Sequence, residues 1–191
     1  TRRIQKTDGR IPLILDVMRR FKAAKPDIAM YCLVCGPFTL ASHLLVITDF
    51  LMATQTDRDA CLALLDRTTD LCIRWLRAQL ARMDRPLGVL VLDDLVGMLG
   101  PEDAEAIAVP RLRRIFAEFS GLIRFYHNDT PNDRIYGLLA GVGMDVFNFT
   151  HLADIGAARK ALGPDVVLMG NLPPLDLLVR GTPGAVRAAA K

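Results

Sequence analysis

Apolar residues along this chain follow two rhythms that alternate from end to end. From Pro12 to Ala24, Ile14, Val17, Met18 and Phe21 recur at the helical interval and predict a helix with one buried stripe. Pro26-Asp27 ends it, and Ile28 to Val34 is a continuous apolar run, the pattern of a strand covered on both faces. Gly36-Pro37 stops that strand. A second helical pattern runs from Asp57 to Met83, with Leu62, Leu65, Thr69, Cys72 and Leu76 on one side, and ends near Asp84-Arg85-Pro86. Gly88 to Leu92 is the next short strand. Pro101-Glu102-Asp103 then has the proline and acids of a helix start, and Leu112, Ile115, Phe116 and Phe119 carry the buried stripe until Gly121.

The alternation continues to the end. Strands are predicted at Leu122 to Tyr126, Asp145 to Phe149 and Val166 to Met169, with helices at Asn132 to Ala140 and Asp154 to Leu162 and a last one opened by Thr182-Pro183. Short buried strands separated by helices mean βαβ units and a parallel sheet. No glycine-rich phosphate loop follows the first strand, and the strands end in polar or ionisable residues: Asp93-Asp94, His127-Asn128-Asp129, Asn148 and Asn171. Both features favour a (β/α)8 TIM-barrel type, here a partial barrel of about five βα units in one α/β domain over residues 1–191.

Composition narrows the function classes. With 191 residues, 51% of them hydrophobic, the chain can bury one sizeable core. Lys and Arg number 24 against 21 Asp and Glu, and they are scattered, so nothing points to nucleic acid. The most apolar stretch, Ile28 to Ala41, is broken by Gly36-Pro37 and is too short to span a bilayer, so a cytoplasmic protein with no membrane association is expected. The four cysteines lie in apolar segments, as buried thiols of a reducing compartment do. Cys32-x-x-Cys35 has the spacing of a redox or zinc pair, but strand residues three apart point to opposite faces. The sequence opens at Thr1 and stops inside a predicted helix, as expected of a fragment or an incomplete gene product.

Three segments carry a family likeness. Gly36-Pro37-Phe38-Thr39-Leu40, the run Leu92-Asp93-Asp94-Leu95-Val96-Gly97-Met98-Leu99 followed by Pro101-Glu102, and Gly170-Asn171-Leu172-Pro173-Pro174 with Gly181-Thr182-Pro183 behind it occur in order over most of the chain. In them the chain resembles the superfamily of uroporphyrinogen decarboxylases and methylcobamide:coenzyme M methyltransferases. The resemblance implies a barrel enzyme. It acts either as a corrinoid-linked, zinc-assisted methyltransferase, with the corrinoid on a partner protein, or as a carboxy-lyase of porphyrin biosynthesis acting on a tetrapyrrole. Departures favour the first branch. Decarboxylases resembling this chain carry a tyrosine where His43 stands and a serine where Asp94 stands, and their essential aspartate lies in a segment this chain lacks. The methyltransferase branch has a His-x-Cys zinc pair where this chain has His127-Asn128-Asp129, and a later cysteine that is absent here.

A zinc ion activating a small thiol or methylated substrate needs about three protein ligands and one open position. His127 and Asp129 are the metal candidates, because residues two apart at a strand end point the same way. Asp94 is a third ligand or the acceptor that orients the imidazole, and with His43 forms the catalytic pair of candidates. Phe38, Asp93, Asn148 and Asn171 are the expected substrate contacts. Each also has a plainer reading. Asp129 is equally a turn residue and helix cap before Thr130-Pro131, His43 a core histidine, and the two asparagines loop holders. A non-catalytic piece acting in assembly, or a homo-oligomer formed through an exposed sheet edge, completes the set.

Overall fold

The computed structural model describes Gln5 and residues 7–191. In chain order they form α1 (Ile11–Ala24), β1 (Tyr31–Cys35), α2 (Pro37–Leu45), α3 (Ile47–Thr56), α4 (Arg58–Leu80), β2 (Gly88–Leu92), α5 (Pro101–Asp103), α6 (Val109–Glu118), β3 (Ile123–Asn128), α7 (Tyr136–Leu139), β4 (Val146–Phe149), α8 (Ile155–Leu162), β5 (Val167–Met169) and α9 (Pro183–Ala189). A 3-10 turn, Asp94–Met98, follows β2, and a π-helical turn, Ala104–Ala108, joins α5 to α6. Pro110 explains that turn: it has no N–H to donate back along the helix.

All five strands are parallel and lie in the order β1-β2-β3-β4-β5. A doubly wound sheet would reverse its order at a switch point, and this one never does. The arrangement is a partial barrel, an arc of βα units. Every strand therefore ends at the same rim.

Register decides which residues share a face. Val34, Val91, Tyr126, Phe147 and Leu168 are paired across the sheet and point to the helix layer. Here the core is densest: Tyr126 stacks on Phe147 at 5.9 Å and Phe147 on Phe149 at 5.5 Å, with Tyr136 packed edge-on. The opposite row, Cys35-Leu92-His127-Asn148-Met169, lies on the inner face of the arc.

That inner face corrects one expectation. The first strand is not covered on both faces: Tyr31 and Leu33 are 43% and 41% exposed, because the concave side of an open arc has no second layer. The strand is also shorter than the apolar run, starting at Tyr31. Along its free edge, the Leu33 N–H donates to Gln79 Oε1 (3.2 Å) and Gln79 Nε2 donates back to the Leu33 carbonyl (2.9 Å). One glutamine thus takes the place of a neighbouring strand at that residue.

The α1 stripe is a second correction. Ile14, Val17 and Phe21 are exposed, and Leu15 is the helix's buried residue. Helical periodicity fixes that a helix has an apolar face, and leaves open what covers it. In α4 the expected stripe is in place, with Leu65, Thr69, Cys72 and Leu76 fully buried. Cys32 is buried on the helix side while Cys35 faces the arc, as strand alternation requires. Among the described residues no single helix is long and apolar enough to cross a membrane.

Candidate active site at the strand-end rim

Two loops, after β2 and after β3, build the rim. Tyr126 Oη and Asn128 Nδ2 both donate to the Asp93 carbonyl (3.2 and 2.9 Å), and Thr130 Oγ1 donates to the Asp94 carbonyl (2.7 Å). Asn132 Nδ2 donates to the carbonyls of Gly97 and Leu99 (2.9 and 3.1 Å). A Cβ on Gly97 would overlap Thr130, which is why this position takes glycine. Asn128, Thr130 and Asn132 are not among the site candidates that the sequence offers. Their task is to satisfy backbone groups in a neighbouring loop, and no spacing rule reports that.

Asp93 and Asp94 are adjacent and have opposite fates. The Asp93 side chain is wholly buried and accepts from the N–H groups of Phe38 (3.1 Å) and Thr39 (2.7 Å) and from Thr39 Oγ1 (2.8 Å). It therefore caps the N-terminus of α2 from another loop. Burial nevertheless pushes its carboxyl up to about 7, against the opposing pull of those hydrogen bonds. A Cβ on Gly36 would overlap this carboxylate, so the Gly-Pro-x-Thr segment is explained by the cap. Asp93 is thus a fold residue, with no face left for substrate. Phe38, expected at the substrate, is likewise fully buried, edge-on to Phe50 at 5.8 Å.

Asp94 turns outward instead. Its Oδ1 accepts the Asp129 N–H (2.7 Å) and lies 3.5 Å from His127 Nε2. On the other side of the ring, His127 Nδ1 is 2.6 Å from Asn148 Oδ1, while Asn148 Nδ2 donates to the Met169 carbonyl (2.6 Å). His127, Asp94 and Asn148 therefore form one chain of contacts across β2, β3 and β4, ending on β5.

The remaining candidates sit elsewhere. His43 is exposed on α2 and its side chain makes no hydrogen bond among the described residues, so it is neither the core histidine nor part of this cluster. Asn171 Nδ2 donates to the carbonyls of Thr150 (3.1 Å) and Ala153 (2.8 Å), pinning the loop after β4. Asp129 meets Asp94 through its backbone, and its own side chain is exposed.

Among the described residues no three of His, Cys, Asp or Glu are grouped to hold a metal ion. His127 Nε2 and Asp94 supply two donors, and the carboxylate of Asp129 does not join them as a third. The residues present do not fit a three-ligand zinc site. Among the described residues, these strand ends also carry no cation. From Cys35-Gly36, Leu92-Asp93-Asp94, Asn128-Asp129-Thr130, Phe149-Thr150 and Gly170-Asn171, the strand ends contribute carboxylates and no Lys or Arg. Arg124 lies at the opposite end of β3, held by Asp145 through bonds of 2.9 and 2.7 Å.

Comparison with known proteins agrees with this architecture. A family model described as uroporphyrinogen decarboxylase (URO-D) matches residues 1–191. A methylated-thiol–coenzyme M methyltransferase of Methanosarcina mazei is 25% identical over 182 residues, 93% of this chain and 48% of that protein. A uroporphyrinogen decarboxylase of Gloeobacter violaceus is 32% identical over 158 residues, 76% of this chain and 44% of that protein. A solved methyltransferase structure from Methanosarcina mazei superposes with a TM-score of 0.88 at 19% identity, covering 97% of this chain and 55% of that one. The chain spans about half the length of these relatives.

Proposed function

Because the chain belongs to the uroporphyrinogen decarboxylase family, we propose that it serves the methyl-transferring branch, with His127 and Asp94 taking the proton of a small thiol acceptor. One observation carries this reading. Among the described residues, the strand ends present an imidazole nitrogen facing a carboxylate at 3.5 Å and no cation. A uroporphyrinogen brings several carboxylates, and the carboxylates at these strand ends repel them. A thiol brings one proton, and two acceptors await it.

The step balances without any further reagent from this chain. The S–H bond breaks, its proton goes to His127 Nε2, and the electron pair stays on sulfur. The sulfur then bonds to the methyl carbon as the bond from that carbon to its donor breaks, and the donor keeps the electron pair. Asp94 stabilises the imidazolium formed in between, as a carboxylate beside a general base does. The corrinoid implied by the family resemblance, carried on a separate protein, would supply the methyl group. No step is assigned to zinc, since a third ligand is missing from the described residues.

Two substrates offered side by side test the proposal. The purified chain is incubated with a methylated corrinoid and a panel of small thiols, and in parallel with uroporphyrinogen. An S-methyl product that falls about 100-fold or more in His127→Ala supports the reading. Loss of carboxylates from uroporphyrinogen, with no S-methyl product, overturns it in favour of the carboxy-lyase.

A further inference from the structure

The asparagine beside His127 has only one consistent orientation. Asn148 lies within 2.6 Å of two partners, the Met169 carbonyl oxygen and His127 Nδ1. A backbone carbonyl has no hydrogen to give, so the NH2 end of the amide must face Met169. The amide oxygen then faces the imidazole, and an oxygen 2.6 Å from a ring nitrogen is a favourable contact only if that nitrogen carries the hydrogen. His127 is therefore held with hydrogen on Nδ1. In the neutral ring this leaves the lone pair on Nε2, directed to the rim beside Asp94.

From this geometry we propose that Asn148 is a positioning residue: it fixes the tautomer of His127, so that Nε2 and Asp94 together accept a substrate bearing an acidic S–H or O–H. The inference rests on the proton-accepting role proposed for His127. Two acceptor atoms 3.5 Å apart with no hydrogen between them repel each other mildly, and a protic group entering the gap relieves both. An ether or thioether has no proton to place there. The acceptor of the methyl group, and not its methylated donor, is the substrate that this pair selects. Asn148 is well suited to the task because its other end is tied to β5, so it cannot rotate to offer its NH2 to the ring without breaking a bond of 2.6 Å.

The test reads the tautomer directly, without substrate. Long-range proton–nitrogen NMR correlation on the 15N-histidine-labelled chain distinguishes Nδ1–H from Nε2–H rings. It is run at mildly alkaline pH, where an ordinary imidazole is neutral. The His127 signals are assigned among the three histidines by their loss in His127→Gln. The wild type is expected in the Nδ1–H form and Asn148→Leu in a mixture rich in Nε2–H. A wild-type Nε2–H ring overturns the proposal with no variant needed, and so does an unchanged tautomer in a folded Asn148→Leu. In turnover with a thiol, Asn148→Leu is expected to lose about tenfold in kcat/KM, the scale of one hydrogen bond to a reacting group. If the tautomer behaves as expected while no methyl transfer occurs with any thiol, the assigned reaction fails and the positioning role stands.

Discussion

The two ends of β3 carry two side-chain pairs that differ in kind. At the start of the strand, Arg124 and Asp145 share two side-chain bonds, and the Arg124 N–H adds a third at 2.8 Å. Donors on the arginine face acceptors on the aspartate. At the strand's other end, His127 Nε2 and Asp94 Oδ1 lie 3.5 Å apart, and in the tautomer proposed for the ring both are acceptors. A satisfied pair holds a fold together, whereas an unsatisfied pair waits for a ligand. The carboxylates follow suit: arginine holds Asp145 below the ordinary range, while burial pushes Asp93 at the rim up to about 7.

The sharpest way to break the comparison is to remove each pair in turn. His127→Ala is expected to lower methyl transfer by about 100-fold or more, with little change in thermal stability, because the ring is partly exposed and fills no core space. Arg124→Ala should do the reverse, leaving activity per folded molecule unchanged. If Arg124→Ala abolished turnover while His127→Ala did not, the assignment of roles would be inverted.

The pH response of the two carboxylates comes next, measured by denaturant melts between acid and mildly alkaline pH. Asp93 has its folded pKa raised, so its contribution to stability is fully present below the ordinary carboxylate range and is lost as pH rises towards about 7. The slope is at most on the order of 1 kcal/mol per pH unit, and Asp93→Asn should flatten it. Asp145 has its folded pKa lowered, so its contribution is present above the ordinary range and is lost as pH falls through it. A wild type whose stability rises from pH 4 to pH 7 by more than Asp145 explains would contradict the burial argument for Asp93.

Smaller effects refine the rim. Gly36→Ala forces a methyl group into the Asp93 carboxylate and should destabilise by about 1–3 kcal/mol. Arg124→Ala, with the pair partly open to water, should destabilise by about 1–2 kcal/mol. Calorimetric melting measures both.

How far the sequence could be read follows from the kind of signal each residue leaves. The barrel topology was legible because strand and helix periods alternate and polar residues gather at the strand ends. The helix starts at Asp154 and Thr182 were legible too, and their side chains accept from the N–H groups of Ala157 and Ala185, at 2.6 and 3.2 Å. The inner face and the uncovered α1 stripe were not, because periodicity carries no information about what lies opposite. At the rim, His127, Asp94 and Asn148 were chosen for their position at strand ends, and they do meet. Asp93 shares that position and lies buried, because alternation sends a strand's next residue to the opposite face, while Phe38, marked by the segment 36–40, lies in the core on α2. The one-residue difference between Asp93 and Asp94 decides which of two acids caps a helix and which meets the imidazole.

The central claim is that His127 and Asp94 act as one proton-accepting unit, and a double-mutant cycle on thiol methylation tests it most directly. The account predicts that His127→Ala and Asp94→Ala each cause a large loss and that the double variant loses little more than His127→Ala alone. Losses that simply multiply in the double variant would show two independent residues and contradict the account.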